Sequence, residues 1–330
     1  MNLAVLGSGA WGTALAVTLS AAHRVMLWSR DAEQCRQMQA LRLNRRYLPD
    51  IPLPRDLELS SDLHTTLAQC ECAIVAVTLA ALRETLHAVA CAASPVPVIW
   101  LCKGLEAGTA RWPHQVAAEE LSEAAPRGVL SGPSFAQEVA RGIPAAVTLA
   151  SEDADFSARL ARDLHTLRFR VYSSEDVIGV EIGGAAKNVI AIAAGISDGL
   201  GFGESARAAL ITRGLAEITR LGLRLGARPE TLMGLSGVGD LILTCTGNLS
   251  RNRQVGLRLA GGQALLDILR ELGHVAEGVH SAPELRKIAA AAHADTPIID
   301  AVCDVLYAGL APLAAVDQLL RRDPKPEHRA

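Results

Sequence analysis

Near the start of the chain an apolar run, Asn2-Leu3-Ala4-Val5-Leu6, ends on Gly7-Ser8-Gly9-Ala10-Trp11-Gly12 and passes into an Ala/Leu-rich stretch reaching about Ala21. Three glycines at this spacing, between a strand and a helix, leave few structures open. The first permits a tight turn, the second allows close approach of a phosphate group to the backbone, and the third lets the helix pack on the strand before it. From Ala10 onward the first helical turn presents free N–H groups and a partial positive charge, which together hold a pyrophosphate. The pattern predicts a dinucleotide site on the Gly7–Gly12 loop.

The next apolar run, RVMLW (24–28), ends on Ser29-Arg30. A fold specific for NAD usually carries Asp or Glu there, about 20 residues past the glycines, to bond the ribose 2′-hydroxyl. Serine and arginine suit a 2′-phosphate instead, so NADPH is expected to bind at least as well as NADH. The alternative gives the ribose to Asp31 and leaves Arg30 a solvated turn residue.

Further β-type runs follow at CAIVAV (72–77), VPVIWL (96–101), RGVLSG (127–132), PAAVTLA (144–150) and RFRVYS (168–173), mostly separated by helical windows. Strands apolar on both faces, alternating with helices, predict a parallel sheet covered by helices. Beyond about Ser174 the spacing of apolar residues turns helical, as in ESARAALITRGLAEITRLGLRLGA (204–227), interrupted by a Gly-rich loop at LSGVGDLILTCTGN (235–248). The expected organisation is an α/β dinucleotide-binding domain over 1–176 followed by an all-α domain over 177–330, whose polar tail frays from about 321.

With 330 residues the chain can form about two domains. Aromatic residues are 3% of the chain and net charge is −3, with basic residues scattered, so nucleic acid is not an expected partner. Seven cysteines form no CxxC pair, which points to reduced thiols and no metal site. The N-terminus resembles a signal peptide but lacks a basic leader, and no uninterrupted apolar run approaches the roughly 20 residues a bilayer requires. A cytoplasmic protein without membrane insertion is expected; a homodimer stays open.

Lysine is rare here, four residues against 28 arginines, so its positions matter. Lys187 lies in GGAAKNVIA (183–191), where an apolar helix would bury its ammonium. Unlike arginine, a buried lysine shifts its pKa and can exchange a proton. The flanking glycines and alanines are expected to leave room for ligands beside it. Lys103 ends the strand VIWL at the edge where open α/β folds bind ligands, or else snorkels there. SGPSFAQEV (131–139) offers Ser134 for a ligand or as a helix cap. In GVGDLILTCTGNLSRNRQVG (237–256), Ser250-Arg251-Asn252 should open a helix, a combination suited to phosphate. Asp240, from the preceding turn, could align a lysine or bind a substrate hydroxyl; capping, solvated and turn roles are the plain alternatives.

Taken in order, GSGAWG, CKGLE, SGPSFAQE, GGAAKNVIAIAAG, GVGDLILTCT and SRNR resemble the bacterial NAD(P)-dependent sn-glycerol-3-phosphate dehydrogenases, from Asn2 to about position 310. The resemblance implies a Rossmann-type domain and reversible reduction of dihydroxyacetone phosphate to sn-glycerol 3-phosphate with NADPH or NADH, feeding glycerophospholipid synthesis. It makes Lys187 the general acid/base. Lys103, Gly132, Ser134, Asp240, Ser250, Arg251 and Asn252 fall on substrate positions. Trp11, Arg30, Lys103, Ala136, Arg251, Val275 and Glu277 fall on or near cofactor positions. In that setting burial beside Lys103 and Arg251 is expected to lower the Lys187 pKa. Two other readings are a dehydrogenase of the same plan acting on a 3-hydroxy acid or ketoacid, and a dinucleotide sensor without turnover. The phosphate-type cluster argues against the first, and Lys103, Lys187 and Asp240 together argue against the second.

Overall fold

The computed structural model describes residues 1–91, 96–273 and 276–323. It opens with β1 (Asn2–Leu6), α1 (Ala10–Leu19), β2 (Arg24–Trp28) and α2 (Ala32–Leu41), then a small hairpin of β3 (Leu43–Asn44) and β4 (Leu48–Pro52). There follow β5 (Glu58–Ser60), α3 (Leu63–Ala68), β6 (Cys72–Val75), α4 (Leu82–Ala90), β7 (Val98–Trp100), α5 (Pro113–Glu120) and β8 (Arg127–Ser131). The last elements of this half are α6 (Ala136–Ala140), β9 (Ala145–Ala150), α7 (Ala154–Leu164) and β10 (Phe169–Ser174). Helices make up the remainder: α8 (Val177–Gly199), α9 (Gly203–Arg224), α10 (Pro229–Leu232), α11 (Asp240–Thr246) and α12 (Arg251–Ala260). They continue as α13 (Leu265–Leu272), α14 (Glu277–Ala291), α15 (Pro297–Tyr307) and α16 (Pro312–Leu320).

The main sheet runs β10-β9-β8-β7-β6-β1-β2-β5. From the central β1 the chain builds outward through β2 to β5, then crosses back to β6 and builds the other way. Strand order therefore reverses between β1 and β6, where an open α/β sheet leaves a crevice at its carboxyl edge. The glycine loop leaves β1 at that point. The sheet is not wholly parallel as the sequence suggested, because β9 pairs antiparallel with β8 and β10 runs parallel to β9. Only the short α6 lies between β8 and β9, too little for the crossover that parallel neighbours need.

Around α8 the helical half is assembled, and 20 of that helix's 23 residues are buried. A helix apolar on every side belongs in a core. By length and a mean hydropathy of 1.5 it could cross a bilayer, contrary to the sequence expectation, yet 89% of its most apolar window is buried against the fold. Two features lock it in place. Glu181 accepts hydrogen bonds from Trp100 Nε1 at 3.0 Å and from His114 N and Nδ1 at 2.9 and 2.5 Å, tying α8 to β7 and α5. On the other side α12 crosses α8 at near backbone contact: a Cβ on Gly195 would lie 2.1 Å from the Arg253 carbonyl, and one on Gly256 2.0 Å from that of Ile192.

Glu217 on α9 caps α15, its carboxylate accepting from Ile298 N at 2.8 Å and Ile299 N at 3.3 Å. Burial pushes its pKa up to about 7, against the opposing pull of those N–H donors. A carboxyl raised on folding binds its proton more tightly in the native state, so its contribution is present below about pH 4.5 and lost as pH rises through 7. Glu217→Gln cannot ionise. Its melting temperature, compared with the wild type in a pH series, should improve steadily between about pH 4.5 and 7.5; parallel curves would show that Glu217 titrates normally.

Candidate active site

The three loop glycines answer to different demands. Gly7 has φ of 122° and lies so near β6 that a Cβ would be 2.6 Å from the Ala76 carbonyl oxygen. At Gly12 a Cβ would meet the Gly7 carbonyl at 2.0 Å and the Ala76 Cβ at 2.9 Å. Both are fixed by the fold. Gly9 has ordinary φ of −70°, and a Cβ there would meet nothing within 4 Å. With its φ ordinary and its surroundings open, nothing within the fold requires glycine at this position, and a pyrophosphate held by backbone amides fits there. Gly9 caps α1 without a side-chain bond, so the first turn from Ala10 keeps its N–H groups for a ligand. The Trp11 ring stacks edge-on against Phe169, with centroids 6.4 Å apart.

At the end of β2 the structure corrects one expectation. Ser29 is 1% exposed, its hydroxyl accepting from Ser8 Oγ at 2.8 Å and donating to the Asp31 carbonyl at 3.2 Å. It faces inward, away from any 2′-phosphate. The Asp31 carboxylate is committed to capping α2, accepting from Glu33 N and Gln34 N at 3.0 Å. Arg30 is left exposed, 3.9 Å from an equally exposed Glu84, a weak pair that a phosphate could displace.

Three charged side chains from distant segments meet beyond the carboxyl end of β7. Lys103 follows that strand, Lys187 lies midway along α8, and Asp240 is the first residue of α11. Asp240 Oδ2 accepts from Lys103 Nζ at 2.7 Å, and Oδ1 pairs with Lys187 Nζ. Asp240 is 2% exposed and Lys187 6%. Burial is the largest influence on each. It draws Lys187 down to about 8, with Lys103 pushing the same way and Asp240 opposing. The neighbouring charge that lowers Lys187 is therefore Lys103; Arg251 stands exposed at the start of α12. For Lys103 the attraction of Asp240 and Glu277 outweighs burial and its pKa is raised, while the two lysines hold Asp240 below its ordinary value. The cluster thus draws one lysine down and reinforces the charge of the other.

The segment expected as a Gly-rich loop is helical as far as Thr246. Residues Leu235–Gly239 form one π-helical turn that runs directly into α11. Its glycines serve contact rather than looping, since a Cβ on Gly237 would lie 1.9 Å from the Leu232 carbonyl. Gly183 and Gly184 follow the same logic and leave no space for ligands. A Cβ on Gly183 would strike the Ser236 carbonyl at 2.3 Å, and one on Gly184 would press on Ser131 Oγ at 3.2 Å and the Lys103 stem at 3.4 Å. They bring the three charged groups together by removing bulk from α8.

The remaining predicted residues surround this cluster unevenly. Gly132 has φ of 151°, and its Cβ would meet Val147 Cα at 2.8 Å, so it is required by the β8–β9 pairing. Ser134 does not cap α6, which begins after Phe135; its hydroxyl donates to the Gly132 carbonyl at 3.1 Å. Ala136 opens α6 and packs near Leu48 and Ile51. Ser250 does cap α12, accepting from Arg253 N. Among the described residues Arg251 makes no ion pair. Asn252 is buried, donating to Asn188 Oδ1 and accepting from Gly278 N, both at 2.9 Å. Asn188 also donates to Glu277 Oε2 at 3.3 Å. Val275 lies outside the described residues. Asn188 is a residue the sequence reading passed over, although a second polar side chain beside Lys187 in an apolar helix was the available signal.

The likeness to known proteins agrees with this geometry. Residues 2–157 match the model of the NAD-dependent glycerol-3-phosphate dehydrogenase N-terminus, and residues 176–317 that of its C-terminus. Glycerol-3-phosphate dehydrogenase [NAD(P)+] of Nitrosospira multiformis is 56% identical, covering 99% of both chains. That of Thiobacillus denitrificans is 57% identical over 99% of this chain and 100% of its own. The crystal structure of glycerol-3-phosphate dehydrogenase from Coxiella burnetii superposes with a TM-score of 0.93 at 42% identity, covering 97% of this chain and 99% of that one. With a dinucleotide loop at the sheet's switch point and a buried Lys187 joined through Asp240 to Lys103, the chain belongs to the NAD(P)-dependent glycerol-3-phosphate dehydrogenases and reduces dihydroxyacetone phosphate to sn-glycerol 3-phosphate.

Proposed function

We propose that Lys187 is the general acid/base of this reaction, on the strength of one observation: a buried ammonium drawn to about 8 and held by Asp240 beside a second lysine. The Gly7–Gly12 loop would hold a nicotinamide dinucleotide, which would supply the hydride; the proton is the protein's task. As negative charge grows on the carbonyl oxygen, Lys187 Nζ stabilises it and gives up a proton to form the alcohol. In the reverse direction the same nitrogen, neutral, takes the proton back. Asp240 orients both lysines, and Lys103, which stays charged, adds electrostatic stabilisation. Arg251 with the N–H groups at the start of α12 receives the substrate phosphate, Ser134 and Gly132 lie along the β8 side, and Asn252 and Ser250 hold that helix in position. Ala136 and Glu277 belong to the cofactor side of the cleft.

The 2′-phosphate of NADPH falls to Arg30 alone, since Ser29 is buried and Asp31 is occupied. Seven free thiols, five of them buried, support a reducing, cytoplasmic setting. Two rate comparisons test this reading. The protein should oxidise NADPH with dihydroxyacetone phosphate and at least about 100-fold more slowly with dihydroxyacetone, the scale for leaving a buried polar site unpaired. Arg30→Ala should raise the KM for NADPH several-fold and leave that for NADH unchanged. Equal rates on the two ketones would remove the phosphate role of the α12 start, and equal effects on both cofactors would remove that of Arg30.

A further inference from the structure

The β3–β4 hairpin has no part in the main sheet, yet one of its side chains is deeply buried against the glycine loop. Asn44 is 1% exposed. Its Nδ2 donates at 2.8 Å to the Ser8 carbonyl and at 2.8 Å to Thr13 Oγ1, spanning the loop and the first turn of α1. Its Oδ1 accepts from Gln34 Nε2 at 3.3 Å, and Gln34 Nε2 is also 3.3 Å from the Ser8 carbonyl. The rest of the hairpin is seated by Leu48 and Ile51, buried with Ala14 of α1.

A dinucleotide loop works only if its amides point outward at the phosphates, which turns a carbonyl inward. An inward carbonyl must find donors. For Ser8 those donors come from side chains, and the shorter bond comes from Asn44. We propose that Asn44 is the positioning residue of the cofactor loop: by clamping the Ser8 carbonyl to Thr13 it fixes the angle between loop and helix, and so the aim of the amides that receive the pyrophosphate. It touches no ligand itself. An amide is needed because both of its N–H groups are used, and aspartate would put a charged acceptor against a carbonyl. The inference rests on the cofactor occupying the Gly7–Gly12 loop.

The test is NADPH affinity of the purified full-length chain by fluorescence titration, with steady-state kinetics alongside. Asn44→Ala and Asn44→Asp should each raise the NADPH Kd and KM about tenfold or more, the scale of one or two lost hydrogen bonds to buried groups. At saturating NADPH, kcat and the KM for dihydroxyacetone phosphate should stay within about threefold, a split that general loosening of the fold would not give. Gln34→Leu, at a half-buried position that tolerates it, should raise the NADPH Kd by a smaller factor and keeps the test decisive if both Asn44 variants fail to fold. Gly9→Val is the control for the loop itself: its side chain enters open space and should abolish NADPH binding. Loss in Gly9→Val with an unchanged Kd in the Asn44 variants, or in Gln34→Leu if those do not fold, overturns the role of Asn44. Unchanged binding in Gly9→Val overturns the loop as the cofactor site.

Discussion

Lys187→Met should bind NADPH like the wild type and turn over about 100-fold to 10,000-fold more slowly, the range for loss of a positioned acid or base. Methionine suits the site because α8 is apolar around it and the side chain is similar in length. The pH dependence follows from the same lysine. Reduction needs its ammonium, so kcat/KM for dihydroxyacetone phosphate should fall as pH rises through about 8. Oxidation needs the free amine, so kcat/KM for sn-glycerol 3-phosphate should rise through the same range. Opposite slopes are required by a single group serving both directions; a flat profile from pH 6.5 to 9.5 in either direction would exclude Lys187 from the proton step.

Asp240→Asn should be the most damaging isosteric change in the protein. It leaves the buried Lys187 and the partly buried Lys103 facing each other without the carboxylate that bridges them. Breaking a buried pair in this way destabilises by about 3–5 kcal/mol. Asp240 is also the influence that opposes the fall of Lys187. Removing it should carry the Lys187 pKa further down, and whatever reductive activity remains should have its pH profile displaced to lower pH. A displacement upward would mean that Asp240 does not support the charge of Lys187.

Much of this was legible in the sequence because each feature is local. A glycine loop between strand and helix, a lysine in an apolar helix and a serine opening a helix need only a few neighbouring residues to be recognised. The sense of β9 could not be read that way, because its apolar run is the same in either direction and only the short connection from β8 decides. The segment at 235–248 was misread for a related reason. Glycine marks loops when nothing approaches it, but Gly237 and Gly183 sit where two stretches of backbone touch, and that is a fact about partners far away in sequence. The β3–β4 hairpin escaped entirely, since its five-residue second strand, LPDIP, holds two prolines and little alternation. Similarly α8 is interrupted by charges when read as a string, and only the partners that Glu181 and Lys187 find show why so apolar a helix can carry them.

The bond between Lys103 and Asp240 closes a span of 137 residues, and that between Trp100 and Glu181 one of 81. A chain made from its N-terminus therefore completes the glycine loop and the strands around it well before either Lys187 or Asp240 has been synthesised. Contacts so distant along the chain form late. A growing or stalled chain has the glycine loop but neither Lys187 nor Asp240, and the charged cluster is complete only when α8 and α11 are in hand. Birth order thus separates the two: the sheet with its glycine loop comes first, the charged cluster second.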